Sequence, residues 1–460
     1  MTQSPTVSDL ARLLADSLEE VREGRGVVPS SEEIESATFL VFQAMTSRSR
    51  DYHGLSHLFK VAEGLPALAR LAAIYHDIVY FHVDGGFPPS VSERIGDVVE
   101  QLVLTTAQDD MVADLATIFG FSPGQELSHD RGLSEFLSAA LAVRELGKFL
   151  SLKDLWAVAA CIEATIPFRV AVQGMTPDAL LGKRLGCLGS GDTALTNEEI
   201  ERIQVLAVLM SNADVRSFGQ PDLNDFLEDT WQLLPETNPE FHKVGAYSIR
   251  SYREALVRME EFLSNLDPRV IFRRHGTTPG EDEFHALVQR ADNNLRSASE
   301  YLRATIAATL VLEALAALTG GDGPISYFIG AMDSGQPQIH NLIHHVGISK
   351  NSDPPPLDAE VLRVLKFGRA SVSRFDTASS PLVAYFYELL GTAGIAELVR
   401  RAREVHAGNQ DWKWFLAALP REVVSDIATA IARIAVARKD RFSEFLQAPF
   451  RNAQNPGLLP

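Results

Sequence analysis

Apolar residues recur every three or four positions along most of this chain, the spacing that gathers them on one face of an α-helix. The pattern predicts a first helix over residues 7–23, capped by Ser8 and closed at Gly24. SSEEIESATFLVFQAM predicts a second, with Ser31 as its cap and Glu32 to Glu35 in its acidic first turns. Two short amphipathic runs follow within residues 50–80, separated by Gly64 and Pro66. The same period returns at 92–119, 133–165, 197–218, 250–266 and 284–318. It fails at HVDGGFPPS, which carries His82, at FSPGQELSHDRG, which carries His129, and over 174–196. Few stretches alternate with the period of a strand, so the expected fold class is all-α.

Glycine and proline cluster in TGGDGP at 319–324 and again in SDPPPLD at 352–358. Beyond them, spaced apolar residues at 358–367, 381–406 and 421–447 predict more helices. The expected organisation is therefore a domain over 1–318 and a helical accessory domain over 325–460, whose surface would suit a protein partner or self-association.

Charge and cysteine content narrow the setting. A net charge of −18 opposes broad attraction to nucleic acid or anionic lipid, while leaving room for a small basic pocket that holds a phosphate. Two cysteines, Cys161 and Cys187, make no disulfide framework and imply a reducing compartment. The opening residues lack the basic start and apolar core of a signal peptide. The apolar run at 304–318 is broken by Glu313 and falls short of the roughly 20 residues that span a bilayer. A cytoplasmic protein without a membrane segment is expected, and long nucleic acid is not an expected partner.

The candidate chemistry lies in RDYHGLSHLFKVAEGLPALARLAAIYHDIVY, residues 50–80, which places three histidines and an aspartate on two helical segments. His53 and His57 are four apart and share a helix face. His76 and Asp77 are adjacent near the end of the second run, and can serve one ion only if another element supplies further ligands. This arrangement resembles the HD superfamily of metal-dependent phosphohydrolases, in particular a branch whose first metal helix begins Tyr-His-x-x-x-His, here Tyr52, His53 and His57. The resemblance implies His57, four residues before Val61, as the first ligand, with His76 and Asp77 as the next two. VLAVLMSNADVRSFG resembles the last metal helix of that branch and implies Asp214 as the fourth. GLSEFLSAALAV, with Glu135, Ser138 and Ala139, resembles a further family segment, as do IEATIPFR at 162–169 and ADNNLRSASEYL at 291–302. The resemblance implies an HD-type helical bundle with insertions.

Two imidazoles and two carboxylates give a shell of about −2, suited to a divalent cation with coordination positions left for water and a phosphoryl oxygen. Mixed nitrogen and oxygen donors permit Mn, Fe, Zn, Co or Mg. The expected reaction is hydrolysis of a phosphoester on a nucleotide or another small phosphorylated metabolite. Asp77 would both bind metal and accept a proton, His53 would protonate a leaving oxygen or touch phosphate, and Glu135 would be a second base. Arg169 and Arg216 are candidate phosphate clamps, or else ordinary ion-pair partners. Lys183 and Arg184 read as solvated. An HD-type di-iron oxygenase would need extra histidines between His76 and Asp214, where only His82 and His129 stand. A catalytically silent module that binds a partner is the third reading. A second histidine group, His340, His344 and His345, has one metal-ligand spacing, but Asn341 stands where a zinc-protease motif requires Glu. In NQDWKWF, Trp412 and Phe415 read as core contacts of a helix.

Overall fold

The computed structural model describes residues 4–22, 27–86, 89–95, 98–100, 103–104, 110–128, 131–243, 246–330, 355–369, 375–377 and 379–448. Over these the chain is all-α, as its apolar period predicts; a small antiparallel pair, Val99–Glu100 with Val103–Leu104, interrupts the helices. His129, His340, His344 and His345 lie outside the described residues.

Packing divides the chain into two compact units, Met1–Gly219 with Asp267–Ala291, and Gln220–Leu266 with Asp292–Pro460. The first holds α1 (Val7–Arg22), α2 (Ser31–Met45), α3 (Leu55–Ala62), α4 (Ala67–Tyr75), the single turn α5 (Phe81–Asp84), α6 (Pro89–Ile95), α7 (Asp110–Phe119), α8 (Leu133–Leu146), α9 (Leu152–Ala164), α10 (Pro177–Leu185) and α11 (Asn197–Asp214). Helices α4 and α9 form its centre: every residue of α4 but Arg70 is buried, and α9 is buried from Leu155 to Ala164. Both are rich in alanine, and the small side chains let α1, α3, α8, α9 and α11 pack close to α4.

Local chemistry sets the helix ends. Ser30, not Ser31, caps α2, because its hydroxyl accepts the Glu33 amide at 3.2 Å while Glu33 Oε2 accepts the Ser30 amide at 2.9 Å. Thr6, not Ser8, plays the same part before α1, its hydroxyl accepting the Asp9 amide at 3.2 Å. Thr196 and Glu199 close an equivalent box at the start of α11. The expected helix over 92–119 is divided by the strand pair, and that over 133–165 by the turn at Gly147–Ser151 between α8 and α9. Residues 82–84, at the start of the expected loop HVDGGFPPS, belong instead to the turn α5, which carries His82.

The second unit contains α12 (Leu223–Thr237), α13 (Ile249–Asn265), most of the 38-residue α14 (Glu281–Leu318), α15 (Ser326–Ile329), α16 (Ala359–Phe367), α17 (Pro381–His406), α18 (Trp412–Leu416), α19 (Arg421–Ile434) and α20 (Lys439–Gln447). Helices α14 and α17 are long and apolar enough to cross a membrane by composition alone, but 83% and 61% of their apolar windows are buried inside the protein, as in core helices. Gly391 breaks α17 at φ +62°, and a Cβ there would lie 2.5 Å from Pro355 Cβ. Phe415 is fully buried with the Trp412 ring 5.4 Å away, the core contact expected of that segment.

This division differs from the boundary expected at 319–324. Trp231 Nε1 and Tyr252 Oη both donate to Asp376 at 2.9 Å, and Tyr247 Oη donates to the Phe375 carbonyl at 2.6 Å. Helices before residue 319 thus share a core with residues after 355. The Gly-Pro cluster only ends α14, and its backbone is fastened in place by bonds from Ile249 N to Gly323 O and from Arg438 to Gly321 O.

Candidate metal centre

Three helix ends converge in the first unit. His57 lies on the second half-turn of α3, His76 caps the C-terminus of α4 with Asp77 just beyond it, and Asp214 is the last residue of α11. The His76 Nδ1–H donates to the Ala73 carbonyl at 2.9 Å, which fixes the tautomer and turns the Nε2 lone pair toward the other residues. His57 Nε2 lies 3.1 Å from Asp214 Oδ1, and His76 Nε2 lies 3.4 Å from the same oxygen. Asp77 Oδ2 is 3.0 Å from His76 Nε2 and 3.7 Å from His57 Nε2.

These separations match a coordination shell. Donors about 2.1 Å from a common ion are separated by about 3.0 Å at right angles and about 3.4 Å at the tetrahedral angle. His57, His76 and Asp214 form a group that can hold a metal ion. His76 Nε2 and Asp77 Oδ2 are buried and have no hydrogen-bond partner, although they face each other at 3.0 Å. Two lone pairs directed into one buried point repel unless a cation lies between them. The nitrogen and oxygen donors suit a divalent ion without choosing among first-row metals and magnesium.

The same proximity governs protonation. Burial pushes the Asp77 carboxyl up, but the imidazoles of His76, His53 and His57 outweigh it and hold the group well below the usual carboxylate range. Burial likewise pushes the Asp214 carboxyl up, but the hydrogen bond with His57 and the neighbouring His76 imidazole bring it down to about 2. Burial lowers the His76 pKa, yet the two carboxylates push it well above the ordinary imidazole value. The cluster favours positive charge at its centre, whether a proton or a metal supplies it.

Around this centre the structure places the other candidates at different distances. The half-buried His53 ring lies edge-on 5.6 Å from the His57 ring and 4.6 Å from Tyr80. Glu135, half-buried in the first turn of α8, has its carboxyl pushed up to about 7 by burial, with Asp77 and Asp214 adding to the rise and Arg169 opposing it. Gly132 makes that helix start possible: its φ is +86°, and a Cβ there would come within 2.4 Å of Ile166 Cδ1. Ser138, three residues along, accepts the Val79 amide at 3.1 Å and anchors the backbone just after the His-Asp pair.

The candidate clamps are already engaged. Arg169 donates to Glu163 Oε1 at 2.6 Å and to the Glu163 carbonyl at 3.0 Å. Arg184 reaches the same carboxylate oxygen at 2.5 Å, so it is a partner of a buried acid and not a solvated side chain. Arg216 donates to the Glu63 carbonyl at 3.1 Å and pairs with its carboxylate at 3.5 Å, both near the surface. Sequence reasoning missed Arg50 and Asp84, whose side chains are 0% and 6% exposed and paired with each other. The one available signal was that Arg50 stands two residues before the Tyr52-His53 motif.

Compared with known proteins, the chain matches no family model, no curated protein and no solved structure.

Proposed function

We propose that the protein is an HD-type metal-dependent phosphohydrolase acting on a nucleotide or another small phosphorylated metabolite. The observation that carries the reading is the pair of buried, unpartnered atoms His76 Nε2 and Asp77 Oδ2 facing each other beside His57 and Asp214. Asp77 is the proposed fourth ligand. A divalent ion held by these four residues would supply Lewis acidity and an activated water. Asp77 would also accept a proton from that water. His53, in ring contact with His57, would protonate a leaving oxygen. Glu135, with a carboxyl that titrates near neutrality, is suited to exchange a proton at the site. Net charge −18 favours small substrates over polyanions, which the surface would repel.

The test is metal analysis of the purified chain, then mono-, di-, tri- and cyclic nucleotides offered under manganese, cobalt, zinc, iron and magnesium, with Asp77→Ala as control. Phosphate release or ring opening by the native chain alone is expected. Iron-dependent oxygen consumption without hydrolysis would replace this reading with an oxygenase. A chain with metal but neither activity would favour a silent module that binds a partner.

A further inference from the structure

We infer that Arg50 and Asp84 form a buried clamp that positions the Asp77 carboxylate, a role that rests on the metal-site reading above. Arg50 Nε donates to Asp84 Oδ1 at 3.1 Å and Nη2 to Asp84 Oδ2 at 2.5 Å, a two-pronged pairing that fixes the plane of the guanidinium. Ser49 Oγ adds a bond to Asp84 Oδ1 at 3.1 Å. With its orientation set, the same guanidinium donates from Nη1 to the Asp77 carbonyl at 2.6 Å and from Nη2 to the Ile78 carbonyl at 3.4 Å.

The position of these bonds gives them their use. Asp77 and Ile78 lie past the end of α4, where the Ile78 amide, donating to the Tyr75 carbonyl at 3.1 Å, keeps one turn bond to the helix but the Asp77 and Ile78 carbonyls receive none from it. Arg50 holds their two consecutive carbonyls on one side and Ser138 holds the Val79 amide on the other. The two peptide units that follow the Asp77 Cα, 77–78 and 78–79, are thereby restrained, and with them the path of the chain that carries the Asp77 carboxylate. A buried ion pair is weak evidence for stability, because desolvation cancels much of its attraction. Here it delivers a planar donor array to two carbonyls that lie in the turn bearing a proposed ligand. Lysine would keep the charge but has neither the plane nor the five directed donors. Arg50 and Asp84 are positioning residues: neither belongs to the ligand group.

The experiment compares full-length native chain with Arg50→Lys, Arg50→Met and Asp84→Asn, reading cobalt affinity and the visible spectrum of bound cobalt beside thermal stability. Loss of an outer partner of a metal ligand weakens binding about 10–100-fold. Arg50→Met should fall in that range with an altered spectrum, and Arg50→Lys should recover only part of the loss. Asp84→Asn, which keeps the shape but frees the guanidinium plane, should show a smaller loss of the same kind. A solely structural ion pair would lower stability while the folded fraction bound cobalt with native affinity and spectrum, and that result would overturn the clamp. Should Arg50→Met fail to fold, the other two variants decide the matter on the same terms. If the native chain itself takes up no cobalt, the metal reading fails, and backbone NMR shifts of Asp77 to Val79 then judge the clamp. Shifts unchanged in Arg50→Lys and Asp84→Asn would sink it; displaced shifts confined to that turn would uphold it.

Discussion

Each unit buries aspartate, and the two treat it in opposite ways. In the second, Asp376 Oδ2 accepts bonds from Trp231 Nε1 and Tyr252 Oη at 2.9 Å, Oδ1 accepts the Thr377 amide at 2.8 Å, and Arg369 stands 3.6 Å away with its guanidinium over the Trp231 ring. Donors surround this carboxylate, which makes it a core brace. In the first, Asp77 and Asp214 face imidazole nitrogens, and His76 Nε2 and Asp77 Oδ2 have no hydrogen-bond partner. Both clusters are buried, so burial alone does not separate structure from function. What separates them is that N–H and O–H donors of the protein meet Asp376, whereas His76 Nε2 and Asp77 Oδ2 face each other without a hydrogen bond.

Ligand removal should break the contrast most severely. Asp77→Ala and Asp214→Ala are expected to abolish hydrolysis, and each should lower metal affinity more than the roughly 10–100-fold typical of losing an outer partner. Metal content and turnover measured on the same samples check this, and native-like metal in Asp214→Ala would remove that residue from the shell. Asp376→Ala should act on stability instead, costing about 3–5 kcal/mol because Arg369 is left buried without its carboxylate. Chemical denaturation reads that loss, and the folded fraction should keep its metal; depletion there would mean the two clusters are not independent.

His53→Ala sharpens the line between ligand and reactant. It should retain metal and lower turnover by about 100-fold, the lower end for a proton-transfer residue. Metal loss equal to that of Asp77→Ala would make His53 a ligand.

The smallest effect concerns Glu135. Its folded-state carboxyl titrates near 7, above the ordinary value of 4.5, so between these values the native state holds a proton that the unfolded chain has released. Stability should therefore fall as pH rises from about 4.5 through 7, and Glu135→Gln should flatten that slope. Melting curves in a chelating buffer at pH 5 and pH 8 test it. A chelator is required because a bound cation would offset Asp77 and Asp214, two causes of the shift.

Legibility followed the range of the interaction. The helices were readable because their apolar period reports burial of one face, and the His-Asp pair because its members are adjacent. Asp214 lies 157 residues from His57 and was reached only through the likeness of its surrounding helix to a known metal helix. The cap of α2 was misplaced by one residue because Ser30 and Ser31 are chemically equal until the backbone selects which hydroxyl meets the Glu33 amide. The cluster at 319–324 reads as a border in the sequence because glycine and proline signal the end of a helix with equal strength inside a core and between two.

By itself, then, the sequence determined an all-α chain and a local set of metal-ligand types, since both depend on short spacings that the covalent chain enforces. Only the tertiary structure decided which distant groups meet. Arg50 and Asp84 are 34 residues apart, and nothing in either one's neighbours marks the other as its partner. Trp231 and Asp376 are separated by 145. Such pairings depend on how helices pack in three dimensions, and the same packing brings His57, His76 and Asp214 into one group with Asp77 beside them.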